Sequence, residues 1–153
     1  MSIADLKDRG YPPVKTDETR VRVRYAETDQ MGVVYHANYL VWFEIGRVEL
    51  MRHLGFDYKR MEAEDDCCIA VVEATCRYKS PARYDDELVI ETEITALRGF
   101  VLKFRYRVLR ANDRTLLAVG ETTHVITGRN LAKRALPQKY VEAFSRVRQD
   151  LHS

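Results

Sequence analysis

The spacing of hydrophobic residues predicts a strand followed by a long, enclosed helix. Residues 20–25, RVRVRY, alternate between basic and larger apolar side chains, which is typical of a strand with one buried face. Residues 38–54 do not alternate and are apolar on nearly all sides of the first helical turns, as in a helix surrounded by other structure. Asn38 is a candidate N-cap of this helix, and Gly55 is a candidate C-terminal stop.

Four further strands are predicted after the helix. They cover residues 68–80, 87–96, 101–109 and 115–127. In the first of these, one predicted face carries Cys68, Ala70, Val72, Ala74, Cys76 and Tyr78. A three-residue loop of Leu97, Arg98 and Gly99 joins the second to the third. This loop places Glu93 opposite Lys103 and Glu91 opposite Arg105, so that the charges pair across the strands.

A final amphipathic helix is predicted to begin near Pro137. Its apolar stripe is Tyr140, Phe144, Val147 and Leu151. We therefore predict an α+β fold in which one long helix packs against a five-stranded antiparallel sheet. Residues 1–18 are interpreted as a flexible N-terminal tail and residues 19–153 as a single domain. The edges of such a sheet favour pairing with a second copy of the chain.

Composition narrows the classes of function. The chain has 25 basic and 23 acidic residues, and this balance argues against bulk binding to nucleic acid or to an anionic membrane. Pairing with Glu91 and Glu93 accounts for the basic stripe of Lys103, Arg105 and Arg107 better than nucleic-acid binding does. No apolar run approaches the ~20 residues that a membrane-spanning helix requires.

The cysteines and histidines indicate neither disulfides nor a metal site. There are three cysteines, of which Cys67 and Cys68 are adjacent, and no C-x-x-C motif. Reduced structural thiols in a cytoplasmic protein are the favoured interpretation. The four histidines show no H-E-x-x-H or similar spacing, so no metal ligands are predicted.

The loop before the long helix carries the candidate chemistry. Asp29 and His36 flank a turn marked by Gly32, and the helix begins directly afterwards. The start of a helix offers free backbone N–H groups that can stabilise an oxyanion developing on a carbonyl. A carboxylate folded back by the turn could attack that carbonyl or activate a water molecule. A purely structural role for either residue is the alternative.

The segment VRVRYAETDQMGVVYHANYLVWFEIGR resembles the signature of the 4-hydroxybenzoyl-CoA thioesterase family of hotdog-fold enzymes. The matching elements are Tyr25, the pair Thr28-Asp29, and G-V-V-Y-H-x-N-Y from Gly32 to Tyr39. PARYDDEL at residues 81–88 matches a second family segment. The resemblance is closest to the bacterial branch associated with Tol-Pal gene clusters. It implies a long helix wrapped by an antiparallel sheet, and dimers or tetramers with active sites at the dimer interface.

The resemblance also implies roles for individual residues. Asp29 matches the catalytic aspartate, either nucleophile or general base, and His36 matches the residue whose backbone N–H polarises the thioester carbonyl. Tyr25 matches a strand tyrosine that helps to shape the site, although a core aromatic is an equally good interpretation. Because coenzyme A carries phosphates, cations are expected at the entry. The named candidates are Lys79, Arg98 and Arg129, with Lys133 and Arg134 near the last of these; Glu44 is a reserve carboxylate.

The expected function is hydrolysis of an acyl-CoA or acyl carrier protein thioester without a metal or redox cofactor. The enzyme is expected to be a cytoplasmic homo-oligomer, either a dimer or a homotetramer. One alternative is a non-catalytic hotdog protein that binds an acyl group or a partner. A less favoured alternative is an enoyl-CoA hydratase. Hotdog hydratases tend to show a G-D-x-N-P-x-H pattern, whereas Asp29 and His36 are further apart and lack its proline.

Overall fold

The computed structural model describes residues 16–146, which form a five-stranded antiparallel sheet and three α-helices. The strands are β1 (Asp17–Arg22), β2 (Cys68–Tyr78), β3 (Glu87–Arg98), β4 (Val101–Arg110) and β5 (Leu116–Thr127). The helices are α1 (Asn38–His53), α2 (Tyr58–Asp65) and α3 (Gln138–Ser145). The strand order is β1-β3-β4-β5-β2, and α1 lies against the sheet. This confirms the predicted α+β hotdog arrangement.

Helix α1 is held close to the sheet by its apolar side. Trp42, Phe43 and Leu50 are fully buried, and the ring of Phe43 stacks on Tyr106 of β4 with centroids 4.4 Å apart. Gly46 makes this close approach possible, because a Cβ there would lie 3.0 Å from Ile90 Cγ2 and closer still to Thr92 Oγ1. Burial of these large side chains, each worth roughly 1.5–3 kcal/mol, stabilises the helix in place.

The two ends of α1 differ in how well they were predicted. Gly55 has φ +91° and ends the helix as expected, since its N–H bonds Arg52 O and the N–H of Phe56 bonds Met51 O. The N-cap, however, is Ala37 and not Asn38. Asn38 is the first helical residue, and its side-chain amide donates instead to Glu27 O at 2.8 Å.

The first strand lies earlier in the sequence than predicted. β1 ends at Arg22, and the chain then forms a short 3₁₀ turn from Tyr25 to Glu27, so Tyr25 is not a strand residue. Val23 directly follows the strand and is buried, and its N–H donates to Asp86 O at 2.9 Å. Most of the predicted tail, residues 1–18, lies outside the described residues, and its last two residues belong to β1.

The register between β3 and β4 differs from the prediction by two residues. The strands are joined by a two-residue turn at Gly99 and Phe100, and a bulge interrupts β3 between Ile94 and Ala96. Glu91 therefore faces Arg107 and Glu93 faces Arg105. The corresponding ion pairs measure 3.4 and 3.6 Å, so the charges pair as expected but with different partners.

A second bulge changes the faces of β2. Val71 lies opposite His124 and Glu73 opposite Thr123, so Val72 is the extra residue. Strict alternation from Cys68 to Tyr78 is therefore wrong. Beyond the bulge, Cys76 and Tyr78 share a face with the buried residues of β5; before it, that face carries Ile69 and Val71.

Helix α2 was not predicted, and α3 begins close to its predicted position. α2 buries only Met61 completely, which leaves little apolar periodicity to recognise. Its N-cap is Asp57, whose carboxylate accepts from Lys59 N at 2.9 Å. In α3, Tyr140 and Phe144 are buried as expected. The other two members of the predicted stripe, Val147 and Leu151, lie outside the described residues.

Candidate active site

A tight loop folds Asp29 back towards the start of α1. Thr28 and Val34 form an isolated antiparallel bridge, and the N–H of Asp29 donates to Val33 O at 2.9 Å. The turn closes when Gly32 N donates to Asp29 O at 3.0 Å. Gly32 has φ +78°, a backbone conformation that glycine adopts without the cost imposed by a Cβ. The glycine singled out in the sequence thus makes the turn.

One of the two oxygens of the Asp29 carboxylate is hydrogen-bonded within its own loop. Its Oδ1 accepts from Met31 N at 2.8 Å in an Asx turn, which fixes the direction of the side chain. Within residues 16–146, no protein donor bonds Oδ2. Asp29 is half-buried, so this second oxygen remains available to a substrate or to water.

The backbone carbonyl of Glu27 fastens the loop to the helix. It accepts from Tyr35 N at 2.9 Å and from Asn38 Nδ2 at 2.8 Å. The Glu27 side chain is itself buried and accepts from Arg24 N at 2.8 Å. The segment that precedes Asp29 and the segment that begins α1 therefore form one rigid unit. Asn38, predicted as a cap, performs this bracing instead.

The start of α1 presents two free backbone donors. Asn38 N bonds Tyr35 O at 3.0 Å, Tyr39 N bonds His36 O at 3.4 Å, and Leu40 N bonds Ala37 O at 3.2 Å. These bonds extend the helical turn back to Tyr35. The N–H groups of His36 and Ala37 find no acceptor in the part of the chain that the structure describes. They lie at the positive end of the helix dipole.

Asp29 and the helix start line one groove of about 360 Å³. Its lining comprises Asp29, Val33, Val34, His36, Tyr39, Tyr78, Lys79, Ser80 and Pro81. Three of the predicted site residues, Asp29, His36 and Lys79, are thus brought together. The wall is completed by the end of β2 and the residues that follow it. Such a groove combines a carboxylate, a cation and free amide donors.

The other predicted site residues lie outside this groove in the single chain. The ring of Tyr25 is 77% exposed and packs edge-on against Tyr84, with centroids 5.7 Å apart. Arg98 ends β3 beside the hairpin turn. Arg129 pairs with Asp66 at 3.2 Å, and its backbone N–H, followed by its guanidinium, lowers the pKa of that carboxyl. The roles assigned to these residues stay predictions.

Tyr78 is the site residue that the sequence analysis missed. Its hydroxyl donates to His36 O at 2.9 Å, and its ring lies edge-on to the ring of Tyr39 with centroids 5.2 Å apart. Burial raises the pKa of Tyr78 to about 12, so the phenol stays protonated at neutral pH. In the sequence it is one aromatic residue on a strand, and only its position directly before Lys79 points to the site.

The cysteines do not supply a second nucleophile. Burial raises the pKa of Cys67 to about 11, and burial also raises the pKa values of Cys68 and Cys76. All three are free thiols that stay protonated at neutral pH, whereas nucleophilic attack requires the thiolate. Within residues 16–146, no group of three or more His, Cys, Asp or Glu side chains could hold a metal ion. Nor does that part of the chain contain a helix long and apolar enough to cross a membrane.

The geometry suits attack on a carbonyl group. A carbonyl oxygen placed at the helix start would meet the N–H groups of His36 and Ala37, which gain strength as negative charge develops on it. The free oxygen of Asp29 lies in the same groove, available to attack the carbonyl carbon or to take a proton from water. Lys79 at the rim would attract an anionic part of the same substrate.

Comparisons with known proteins agree with this interpretation. A family profile described as the thioesterase-like superfamily matches residues 23–144. The acyl-CoA thioester hydrolase YbgC of Escherichia coli O157:H7 is 42% identical over 125 residues, 81% of this chain and 92% of that protein. YneP of Bacillus subtilis is 47% identical over 88 residues, 58% of this chain and 63% of the relative, which is less than two thirds of its length.

Solved structures show the same fold. The crystal structure of a hypothetical protein, TT1821 from Thermus thermophilus, superposes with a TM-score of 0.80 at 38% sequence identity. The superposition covers 87% of this chain and 98% of that chain. The arrangement of helix and sheet described above is therefore the one found in a solved structure of similar sequence.

Proposed function

This chain belongs to the thioesterase-like superfamily, and we propose that it hydrolyses acyl-CoA thioesters to a free acid and coenzyme A. The observation that carries this proposal is the groove lined by both Asp29 and His36, the residue that begins the run of free N–H groups at the helix start. Acyl transfer needs an oxyanion site and a nucleophile or base, and the loop supplies both. The resemblance of the Asp29-to-Tyr39 segment to the thioesterase signature supports the same conclusion.

In the proposed reaction the thioester carbonyl binds at the helix start, and the carbonyl carbon faces Asp29. If Asp29 is the general base, it takes a proton from water as the hydroxide attacks, and the C–S bond breaks to release the thiolate of coenzyme A. If Asp29 is the nucleophile, its carboxylate forms an anhydride with the acyl group, and water then hydrolyses that anhydride. In both routes the thiolate leaves and is protonated. No step needs a metal or redox cofactor.

Lys79 is proposed to bind the phosphates of coenzyme A at the rim of the groove, with Arg98 and Arg129 as further candidates. The lysine lines the same groove as Asp29, which supports its role. Tyr25 is proposed to shape the site from the side of the loop. Acyl carrier protein thioesters are the second substrate class to consider, because their reacting group is the same.

The proposal is tested by measuring free-thiol release from a panel of acyl-CoAs. The panel contains acetyl, butyryl, hexanoyl, palmitoyl, benzoyl and 4-hydroxybenzoyl thioesters. We expect release from at least one member, and the preferred member would identify the acyl class. If none releases thiol, acyl carrier protein thioesters are tested next. If mass spectrometry shows intact acyl-CoAs and intact acyl carrier protein thioesters after long incubation, the hydrolase proposal is wrong and a binding protein is favoured.

We also propose that the chain forms a homotetramer, built from dimers joined at β2, in the cytoplasm. β2 is an edge strand, and its Val71 and Val72 are 48% and 59% exposed. Leu40 and Val41 of the neighbouring α1 are also exposed, so apolar surface flanks an unpaired strand edge. The three free thiols support a reducing compartment.

Multi-angle light scattering tests the assembly. We expect the measured mass to correspond to four chains at micromolar concentration, with two chains as the dissociation product. The change of Val72 to glutamate should shift the mass towards a single chain, because it places a charge on the exposed edge. The matched control is Asn112→Glu, at an exposed residue of the β4–β5 turn that lies outside β2. A single-chain mass for the wild type would contradict the proposed assembly.

A further inference from the structure

Tyr78 connects the sheet to the start of α1 through one hydrogen bond. Its hydroxyl donates to the backbone carbonyl of His36 at 2.9 Å, across 42 positions in the sequence. Its ring also lies edge-on to the His36 imidazole, with centroids 6.4 Å apart. Tyr78 comes from the end of β2 and lines the groove, so a second element, besides the loop that carries Glu27, is hydrogen-bonded to the helix start.

This hydrogen bond is made to the peptide group between His36 and Ala37, whose N–H is a free donor at the helix start. The carbonyl of His36 and the N–H of Ala37 belong to the same planar peptide group, so fixing the direction of one fixes the direction of the other. A donor on the carbonyl oxygen also polarises the group and strengthens the N–H as a donor, by ~10–30% per bond in a chain of hydrogen bonds. Ala37 N–H is one of the two free donors at the helix start.

We propose that Tyr78 is a positioning residue for hydrolysis: it aims and polarises the His36–Ala37 peptide, so that Ala37 N–H joins His36 N–H in binding the thioester oxygen. The site then has two amide donors, and the second depends on a phenol from another element of the fold. This inference rests on the proposed function, because it assigns a role within that reaction. Tyr78 acts through the peptide and does not take part in proton transfer.

The first test is the kinetics of Tyr78→Phe with the best substrate from the panel. The change keeps the ring contacts and removes the hydroxyl. We expect kcat to fall roughly 10-fold with KM nearly unchanged, because the donor at Ala37 is weakened and not removed; loss of a whole oxyanion donor costs about 10²–10³-fold. Loss of a donor that binds the ground state and the transition state equally would instead raise KM and leave kcat unchanged.

Tyr58→Phe is the matched control. Tyr58 also bonds the backbone through its hydroxyl, donating to Ile69 O at 3.3 Å and accepting from Ile69 N at 2.9 Å, and burial raises its pKa to about 12 as well. Its bond ties α2 to the beginning of β2, and Tyr58 is not among the residues that line the groove. The two variants lose the same kind of bond, so a loss that comes only from weakened packing would appear in both.

A spectroscopic measurement separates positioning from general destabilisation. Substrate labelled with ¹³C at the thioester carbonyl is bound to Asp29→Asn, and its carbonyl stretch is recorded by difference infrared spectroscopy. We expect a shift to lower frequency relative to the free thioester, because two N–H groups polarise the bond. Adding Tyr78→Phe should move the band back towards the free value, whereas adding Tyr58→Phe should leave it in place.

The outcomes are distinguishable. A normal kcat for Tyr78→Phe beside an active wild type would overturn this inference and leave the proposed function standing. An equal loss of kcat in Tyr58→Phe would also overturn it. So would a carbonyl stretching frequency that Tyr78→Phe leaves unchanged. Absence of thiol release by the wild type from every thioester would overturn the proposed function and this inference with it.

Discussion

Replacing Asp29 with asparagine is expected to lower kcat for thioester hydrolysis by roughly 10²- to 10⁴-fold, the range for loss of a positioned acid or base. Asparagine keeps an oxygen at the position of Oδ1, so the Asx turn to Met31 N can still form. The change removes the charge and the basicity of the free oxygen while the loop keeps its shape. Thiol release under saturating substrate measures the effect.

Asp113→Asn is the control for this variant. Asp113 lies in the turn between β4 and β5, and its Oδ1 accepts from Thr115 N at 3.0 Å in the same kind of local turn. We expect it to leave kcat unchanged. Thermal unfolding should show that Asp29→Asn is folded. Near-normal turnover by Asp29→Asn with a good substrate would show that the assigned role is wrong, whether as nucleophile or as base.

A steady-state experiment on Asp29→Asn does not separate the two chemical routes, but isotope incorporation does. In a single turnover in H₂¹⁸O, a nucleophilic Asp29 would acquire ¹⁸O when water attacks the anhydride at the aspartyl carbon. General-base catalysis places the label only in the released acid. The position of Asp29 in the groove permits both routes, because its free oxygen can face either the carbonyl carbon or a water molecule.

The parts of the site that the sequence predicts are the local ones. Asp29, Gly32 and His36 lie within one loop, and the turn and the helix start follow from glycine chemistry and from the change in hydrophobic pattern. The contact of Tyr78 with His36 joins residues 42 positions apart. Nothing in the alternation of β2 indicates it, since the bulge at Val72 decides which side chains face the helix.

The register of the β3–β4 hairpin shows a limit of pattern reading. A shift of two residues leaves every side chain on the same face, because the period of a strand is two. Glu91 meets an arginine in either register, at position 105 or at position 107, so charge pairing does not distinguish them. The choice depends on the length of the turn at Gly99 and on the bulge after Ile94, both of which are set by backbone geometry.

His124 is a second feature that alternation could not reveal. It occupies an inward position of β5, where it is fully buried, and its Nε2 lies 2.8 Å from Thr122 Oγ1. That same oxygen lies 2.6 Å from the hydroxyl of Tyr106. Arg47 approaches the group from α1, and the ring of Phe104 packs edge-on against the imidazole. A histidine in a strand pattern gives no sign of such an environment.

Burial of His124 should make the stability of the fold depend on pH. Desolvation, and next the charge of Arg47, lower the pKa of His124 from 6.5 to about 3. The folded protein therefore keeps the ring neutral, while the unfolded chain binds a proton below pH 6.5. Stability is complete above that pH and falls as pH decreases towards 3. The loss between pH 7 and pH 5 should be about 2 kcal/mol in the free energy of unfolding.

Urea unfolding of the wild type and of His124→Gln at pH 7, 6 and 5 isolates this contribution. Glutamine can donate to Thr122 but does not titrate, so its stability should change less over the same range. Burial raises the pKa of Glu91, which works in the opposite direction, but that effect is common to both proteins and cancels in their difference. Equal pH dependence in the wild type and His124→Gln would contradict this prediction. It would mean that the His124 imidazole gains its proton in the folded protein, which would require α1 to move away from the buried histidine at mildly acidic pH.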